Sequence, residues 1–199
     1  MIYSRVLFAL LLVCAMPALA EDASPAPVPR FYKYAHNDAE YSVMLPEAPR
    51  VATIWADEGN VPYLENPPQE GAIGEIATFR RVDVKTEDSF DVKITFLKAS
   101  RDFLAALTEE KMKAALENDF KDTNLDNKNL YFSAGANSLK WATISGFSVD
   151  KNNRPFYNAE HYLTGKQSIL VVKIQYNVEN KTFADYYKNL TDNITYLVP

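Results

Sequence analysis

The chain has 199 residues, of which 47% are hydrophobic and 13% aromatic, and a formal charge of −5. That apolar share supports one buried core and excludes global disorder. The acid excess, with no basic run denser than Arg80-Arg81, makes nucleic acid an unexpected partner, because phosphate binding relies on clustered Lys and Arg.

Residues 1–20 have the layout of a secretory signal peptide: Arg5, an apolar run from Val6 to Ala15, and Ala18-Leu19-Ala20 as a small-x-small cleavage site. The run is short for a membrane span. Export and cleavage after Ala20 are therefore expected, with the protein periplasmic or secreted. Removing Arg5, the leader's one charged side chain, takes the charge from −5 to about −6. The single cysteine, Cys14, lies inside the leader, so the remainder has no disulfide and no thiolate metal site. Val13 is not the small residue that lipid attachment at Cys14 requires. A secreted domain without disulfides takes its stability from packing, which points to a bacterial periplasm. No later segment is long and apolar enough to span a bilayer. Residues 21–30, with Pro25, Pro27 and Pro29, read as a stiff tether. A single domain is expected over 31–199.

Strands dominate that domain. Tyr41, Val43 and Leu45 alternate up to Pro46, and Val51, Thr53 and Trp55 alternate next. Residues 57–72, with Pro67-Pro68, form a turn-rich excursion. Ala77 and Phe79 share one phase and Val82 and Val84 the other, so a bulge is expected at Arg80-Arg81. Phe90, Val92, Ile94 and Phe96 put four large apolar groups on one face. Asp91, Lys93 and Thr95 point the other way, toward water or a polar cover.

Two helices follow, capped by Ser100 and Thr108. Glu109 and Glu110 suit the positive N-terminal end of the second, and Met112, Leu116 and Phe120 form its buried stripe. Residues 121–129 read as a loop and 130–134 as a strand. Leu139, Trp141, Thr143, Ser145, Phe147 and Val149 share one strand phase. Residues 156–163 and 168–177 make a hairpin around Thr164–Gln167. Its second strand is apolar on both faces at Ile169–Val172 and so is expected at the sheet centre. Thr182 with Asp185 reads as a capping box for a last helix striped by Phe183, Tyr187, Leu190, Ile194 and Leu197. Burying those five side chains contributes roughly 1.5–3 kcal/mol each before entropy.

No catalytic constellation stands out: there is no G-x-S-x-G, no glycine-rich phosphate loop among six glycines, and no selected carboxylate pair. His36, Asp38 and Glu40 are close in sequence but lack a second cluster to complete a metal shell, so they read as a surface turn. His161 shares its phase with Tyr157, Ala159 and Leu163 and reads as a packing residue; Glu160 faces the other way. The candidate ligand or interface residues are Trp55, Tyr63, Trp141, Tyr157 and His161. Tyr32, Tyr34 and Tyr131 are further aromatics of the type that lines a groove or suits a half-wet sheet.

The Tyr41–Pro46 strand, the hairpin over 156–177 and the closing amphipathic helix over 182–197 resemble PsbP-like and DcrB-like domains. The match departs after the proline, where Glu47-Ala48-Pro49 replaces the family's aromatic-containing turn. The resemblance implies an α+β fold with a mostly antiparallel sheet flanked by helices on both faces, an α/β/α sandwich. It also implies export and an accessory or binding role without catalysis. The expected function is an exported, non-catalytic domain that binds an envelope protein, with no cofactor. The alternatives are a small-molecule binder with a cavity between sheet and helix, lined by Trp55 and Trp141, and a hydrolase assembled from distant residues.

Overall fold

A computed structural model describes residues 31–35, 40–55, 72–135 and 139–197. The leader, the tether, His36, Asp38, residues 57–71 and, with them, Tyr63 lie outside the described residues.

The alternating segments pair as antiparallel strands. Along the chain they are β1 (Tyr32–Tyr34), β2 (Tyr41–Leu45), β3 (Arg50–Trp55), β4 (Ala72–Val82) and β5 (Ser89–Lys98), then the helices α1 (Arg101–Ala106) and α2 (Glu109–Asp119). After these come β6 (Asp126–Ala134), β7 (Lys140–Val149), β8 (Pro155–Thr164), β9 (Ser168–Asn177), α3 (Lys181–Asp192) and β10 (Thr195–Tyr196). The main sheet has seven strands in the order β3-β4-β5-β9-β8-β7-β6. β9 is its middle strand, and Ile169–Val172 are buried from both faces, as the unbroken apolar run predicts.

Each face carries its own core. On one, Phe79, Phe90, Val92, Ile94, Val172 and Ile174 pack with Phe183 and Leu190 of α3 and with Val43 and Leu45 of β2. On the other, Leu97, Ile169, Val171 and Tyr162 pack with Leu104 of α1 and Met112 and Leu116 of α2. Both short helices start where their caps predict: Ser100 Oγ accepts from Phe103 N at 3.2 Å and Thr108 Oγ1 from Lys111 N at 3.3 Å. Among the described residues the helices are three and leave parts of both faces uncovered. The molecule is a sheet-dominated α+β fold rather than a sheet fully roofed by helices.

Several local expectations are corrected. β2 leaves the main sheet and joins β1 and β10 in a small one, so both of its faces are largely buried. Val51, Thr53 and Trp55 face solvent because β3 is an edge strand that α3 does not reach. There is no bulge at Arg80-Arg81; β4 pairs in unbroken register with β5 from Gly74 to Val82. The phase that seemed to slip carries Arg81 instead. Its guanidinium lies 5.7 Å over the Tyr186 ring and bonds Glu47 at 3.0 Å, while Val82 and Val84 stay exposed. α3 is capped by Asn180, whose Oδ1 accepts from Phe183 N at 3.3 Å, so Thr182 is already inside the helix. The helix stops at Asp192, and Leu197 is exposed, because the chain turns to pair β10 with β2. β6 starts at Asp126, inside the segment expected to be loop.

Glu40 ties the small sheet to the central hairpin. Its carboxylate accepts from Lys166 N at 2.9 Å, Gln167 N at 3.0 Å and Ser168 Oγ at 2.6 Å, all in or beside the β8–β9 turn. Tyr41 OH donates to Thr164 O at 2.7 Å, in the same place. A buried carboxylate with this many donors is a structural anchor.

Candidate functional site

Strand alternation puts Trp141, Thr143, Ser145, Phe147 and Val149 on one face of β7, the face that α3 shares further in. Cross-strand register extends that face outward. Tyr131 of β6 lies opposite Thr143, which lies opposite His161 of β8, which lies opposite Val172 of β9. Phe147 lies opposite Tyr157, which lies opposite Tyr176. α3 covers the inner part of these rows and stops short of β7 and β6. The result is an open aromatic shelf: Tyr131 is 55% exposed, Phe147 39% and Val149 60%. Scattered apolar side chains are ordinary on a surface; these three share one face of adjacent strands, with the Asn129–Ser145 pair between Tyr131 and Phe147.

The inner wall of the shelf is a network of rings. Tyr157 meets Phe147 at 5.3 Å, Tyr187 of α3 at 5.1 Å and Tyr176 at 5.6 Å between centroids. Trp141 meets His161 edge-on at 5.8 Å. These offset and edge-to-face arrangements suit the quadrupoles of the rings and hold the wall rigid. Burial pushes the Tyr187 hydroxyl well above the usual phenol range, with the hydrogen bond to Tyr157 adding to the effect. It stays protonated.

His161 sits at the floor, 5% exposed. Its Nδ1 lies 3.0 Å from Thr143 Oγ1, and Trp141 Nε1 donates to the same hydroxyl at 2.9 Å. A run from indole N–H through hydroxyl to imidazole makes Nδ1 the acceptor and leaves the proton on Nε2, which has no hydrogen-bond partner among the described residues. Burial pushes the His161 pKa down to about 4, so the ring is neutral near pH 7. Glu160 faces the opposite side, as the alternation predicts, and pairs with Lys173 at 3.4 Å. The arrangement makes His161 a packing group that orients Trp141 and Thr143.

The structure thus brings three sequence candidates together, Trp141, Tyr157 and His161. Trp55 is 48% exposed on β3, the edge of the sheet opposite β6, and takes no part in the shelf. Thr143 and Tyr187, which complete the network, were not among the candidates, although both share the phase or stripe of residues that were. Of the His36, Asp38 and Glu40 group, only Glu40 is described, and its carboxylate is consumed by the hairpin turn. Among the described residues no group of three or more His, Cys, Asp or Glu side chains is placed to hold a metal ion. No helix of the described residues is long and apolar enough to cross a membrane.

β6 is also the end of the sheet, and among the described residues no strand pairs with its outer side. A backbone edge and an aromatic shelf therefore adjoin.

No protein-family model matches the sequence, and no curated protein matches it. Among solved structures, the chain is similar to PsbP (CyanoP) from the cyanobacterium Synechocystis sp. PCC 6803. The TM-score is 0.50 at 9% identity, with 89% of this chain and 98% of that one covered. The fold is PsbP-like. At this identity the likeness concerns the fold, and the open shelf on β6 and β7 is read from this chain's own residues. A second similar structure, LpqN, involved in cell envelope biogenesis of Mycobacterium tuberculosis, matches at a TM-score of 0.37 and 13% identity. That match covers 83% of this chain and 90% of that one, and its score is too low to establish a shared fold. Within the PsbP-like frame, the expected antiparallel sheet and closing helix are both present.

Proposed function

We propose that this is an exported, non-catalytic accessory protein that binds another protein of the cell envelope through the open face and free edge of β6. The observation that carries the reading is the exposure of Tyr131, Phe147 and Val149 on one face beside a strand edge that no other described strand pairs. Aromatic side chains on a rigid wall offer large contact area at low entropic cost, which is what protein interfaces use. The strand edge supplies unpaired N–H and C=O groups that an extended partner segment satisfies by adding a strand, while its alternate side chains lie on the shelf. The leader and the proline-rich tether support export and reach. The PsbP-like fold is compatible with such a role.

The test is capture of partners from an envelope fraction by the wild type and by a Tyr131→Ser/Phe147→Ser variant. A protein retained by the wild type and lost from the variant supports the reading. Equal retention by both overturns it.

A further inference from the structure

The opposite face of the sheet carries a second feature that the aromatic shelf does not explain. Beyond the reach of α2 no described element covers the face, and a depression of about 910 Å³ lies there between the β2–β3 connection at Glu47 and the end of α2 at Phe120. Its size is that of a small-molecule site. Neither Trp55 nor Trp141 lines it.

Register lays one polar row across its floor. Arg50 of β3 lies opposite Thr78 of β4, which lies opposite Lys93 of β5, which lies opposite Lys173 of β9. Three of these four side chains are cationic, in a chain whose formal charge is −5. The charges are not compensated equally. Lys173 Nζ lies 3.4 Å from Glu160, 3.7 Å from Asp119 and 4.5 Å above the Phe120 ring. The two acids on the lining are already engaged, Asp91 with Arg80 at 3.3 Å and Glu47 with Arg81 at 3.0 Å. Among the described residues, Arg50 and Lys93 have no ion-pair partner. Lys93 also faces Lys173 directly across the strands, a like-charge placement that destabilises a sheet.

Two uncompensated cations on one side of a concave site match the charge of a phosphate monoester, which is about −1.5 to −2 at neutral pH. Arg50 offers a planar fork and Lys93 a point charge, the two complementary ways of holding phosphate oxygens. We propose that this groove binds a phosphate monoester, with the phosphate between Arg50 and Lys93 and the remainder of the ligand toward Phe120. A soluble phosphorylated metabolite and a phosphatidic-acid headgroup share that chemistry.

The experiment follows thermal unfolding and binding of the purified protein with glycerol 3-phosphate, and sedimentation with phosphatidylcholine vesicles with and without phosphatidic acid. The variants are Arg50→Gln, Lys93→Gln and, as a control of equal charge change, Lys188→Gln on the exposed side of α3. Without ligand, Lys93→Gln unfolds at a higher temperature than the wild type, because the repulsion with Lys173 is relieved. Ligand raises the midpoint of the wild type and of Lys188→Gln. Arg50→Gln and Lys93→Gln each bind about tenfold more weakly, the effect of one charge-assisted hydrogen bond. Binding of glycerol 3-phosphate assigns the site to a soluble ligand, and binding confined to phosphatidic-acid vesicles assigns it to a headgroup; either supports the proposal. Binding of neither, or equal loss in Lys188→Gln and Lys93→Gln, overturns it.

Discussion

Glu40 and Gly165 occupy one another's space: a Cβ added at Gly165 would overlap the Glu40 carboxylate at Oε2. The carboxylate cannot swing away, because Lys166 N, Gln167 N and Ser168 Oγ hold it in place. Gly165→Ala is therefore expected to cost about 1–3 kcal/mol, the range for overpacking a filled site. Glu40→Ala is expected to cost about 2 kcal/mol or more by stranding its donors. The two effects are not additive. In a urea-unfolding double-mutant cycle, Gly165→Ala costs less in the Glu40→Ala background, where the clash with the carboxylate is gone and only Ser168 Oγ, 2.7 Å from the added Cβ, still has to shift. Additive costs would mean that the anchor is not formed.

His161 makes stability depend on pH. Its pKa of about 4 in the folded state lies below the ordinary 6.5. Between those values the unfolded chain takes up a proton that the folded one refuses. Stability is full above 6.5 and falls as pH drops toward 4, by roughly 3 kcal/mol at most. His161→Leu removes this part of the slope. Denaturant midpoints measured above pH 6.5 and near pH 4 should converge in the variant and diverge in the wild type; parallel changes in both would refute the assignment.

Phe183 and Leu190 are the two buried anchors of α3, beside which Ala184, Tyr186 and Tyr187 pack while partly exposed. Phe183 and Leu190 are almost fully buried, whereas Leu197, on the same sequence stripe, lies beyond the helix and is exposed. Leu190→Ala is expected to cost about 2–5 kcal/mol and Phe183→Ala about 3–5 kcal/mol, whereas Leu197→Ala should stay within about 0.5 kcal/mol. Equal effects from Leu190→Ala and Leu197→Ala in equilibrium unfolding would mean that the helix continues along the stripe.

Much of this architecture was readable where the signal is local. Phe90 to Ile94 alternate because along that stretch one face of β5 is core and the other carries Asp91 and Lys93, and Ile169–Val172 are unbroken because β9 has core on both faces. Ser100 and Thr108 are legible as caps because each bonds a backbone N–H three residues on. What was not legible depends on partners distant in sequence. Glu40 resembled a turn or ligand residue because its hydrogen-bond partners are 126 to 128 positions away. Arg81 mimicked a bulge because its buried-phase position is filled by a guanidinium lying on Tyr186. The phases of Trp141 and His161 were each visible within their own strands, but their contact required the register of β7 on β8. Trp55 was grouped with them because strand order, which puts β3 and β6 at opposite edges, leaves no mark on alternation. The wet phase of Asp91 and Lys93 was visible, but its continuation into Arg50 and Lys173 required the register.

The central claim, that the β6–β7 shelf is where a partner docks, is tested most directly by site-specific photo-cross-linking in the host envelope. A photoreactive phenylalanine analogue is placed at Tyr131 and, in a separate variant, at Val84, which is 91% exposed but lies in the β4–β5 turn away from the shelf. The account predicts a discrete cross-linked protein from position 131 and none from position 84. No adduct at 131, or the same adduct from both positions, would contradict it.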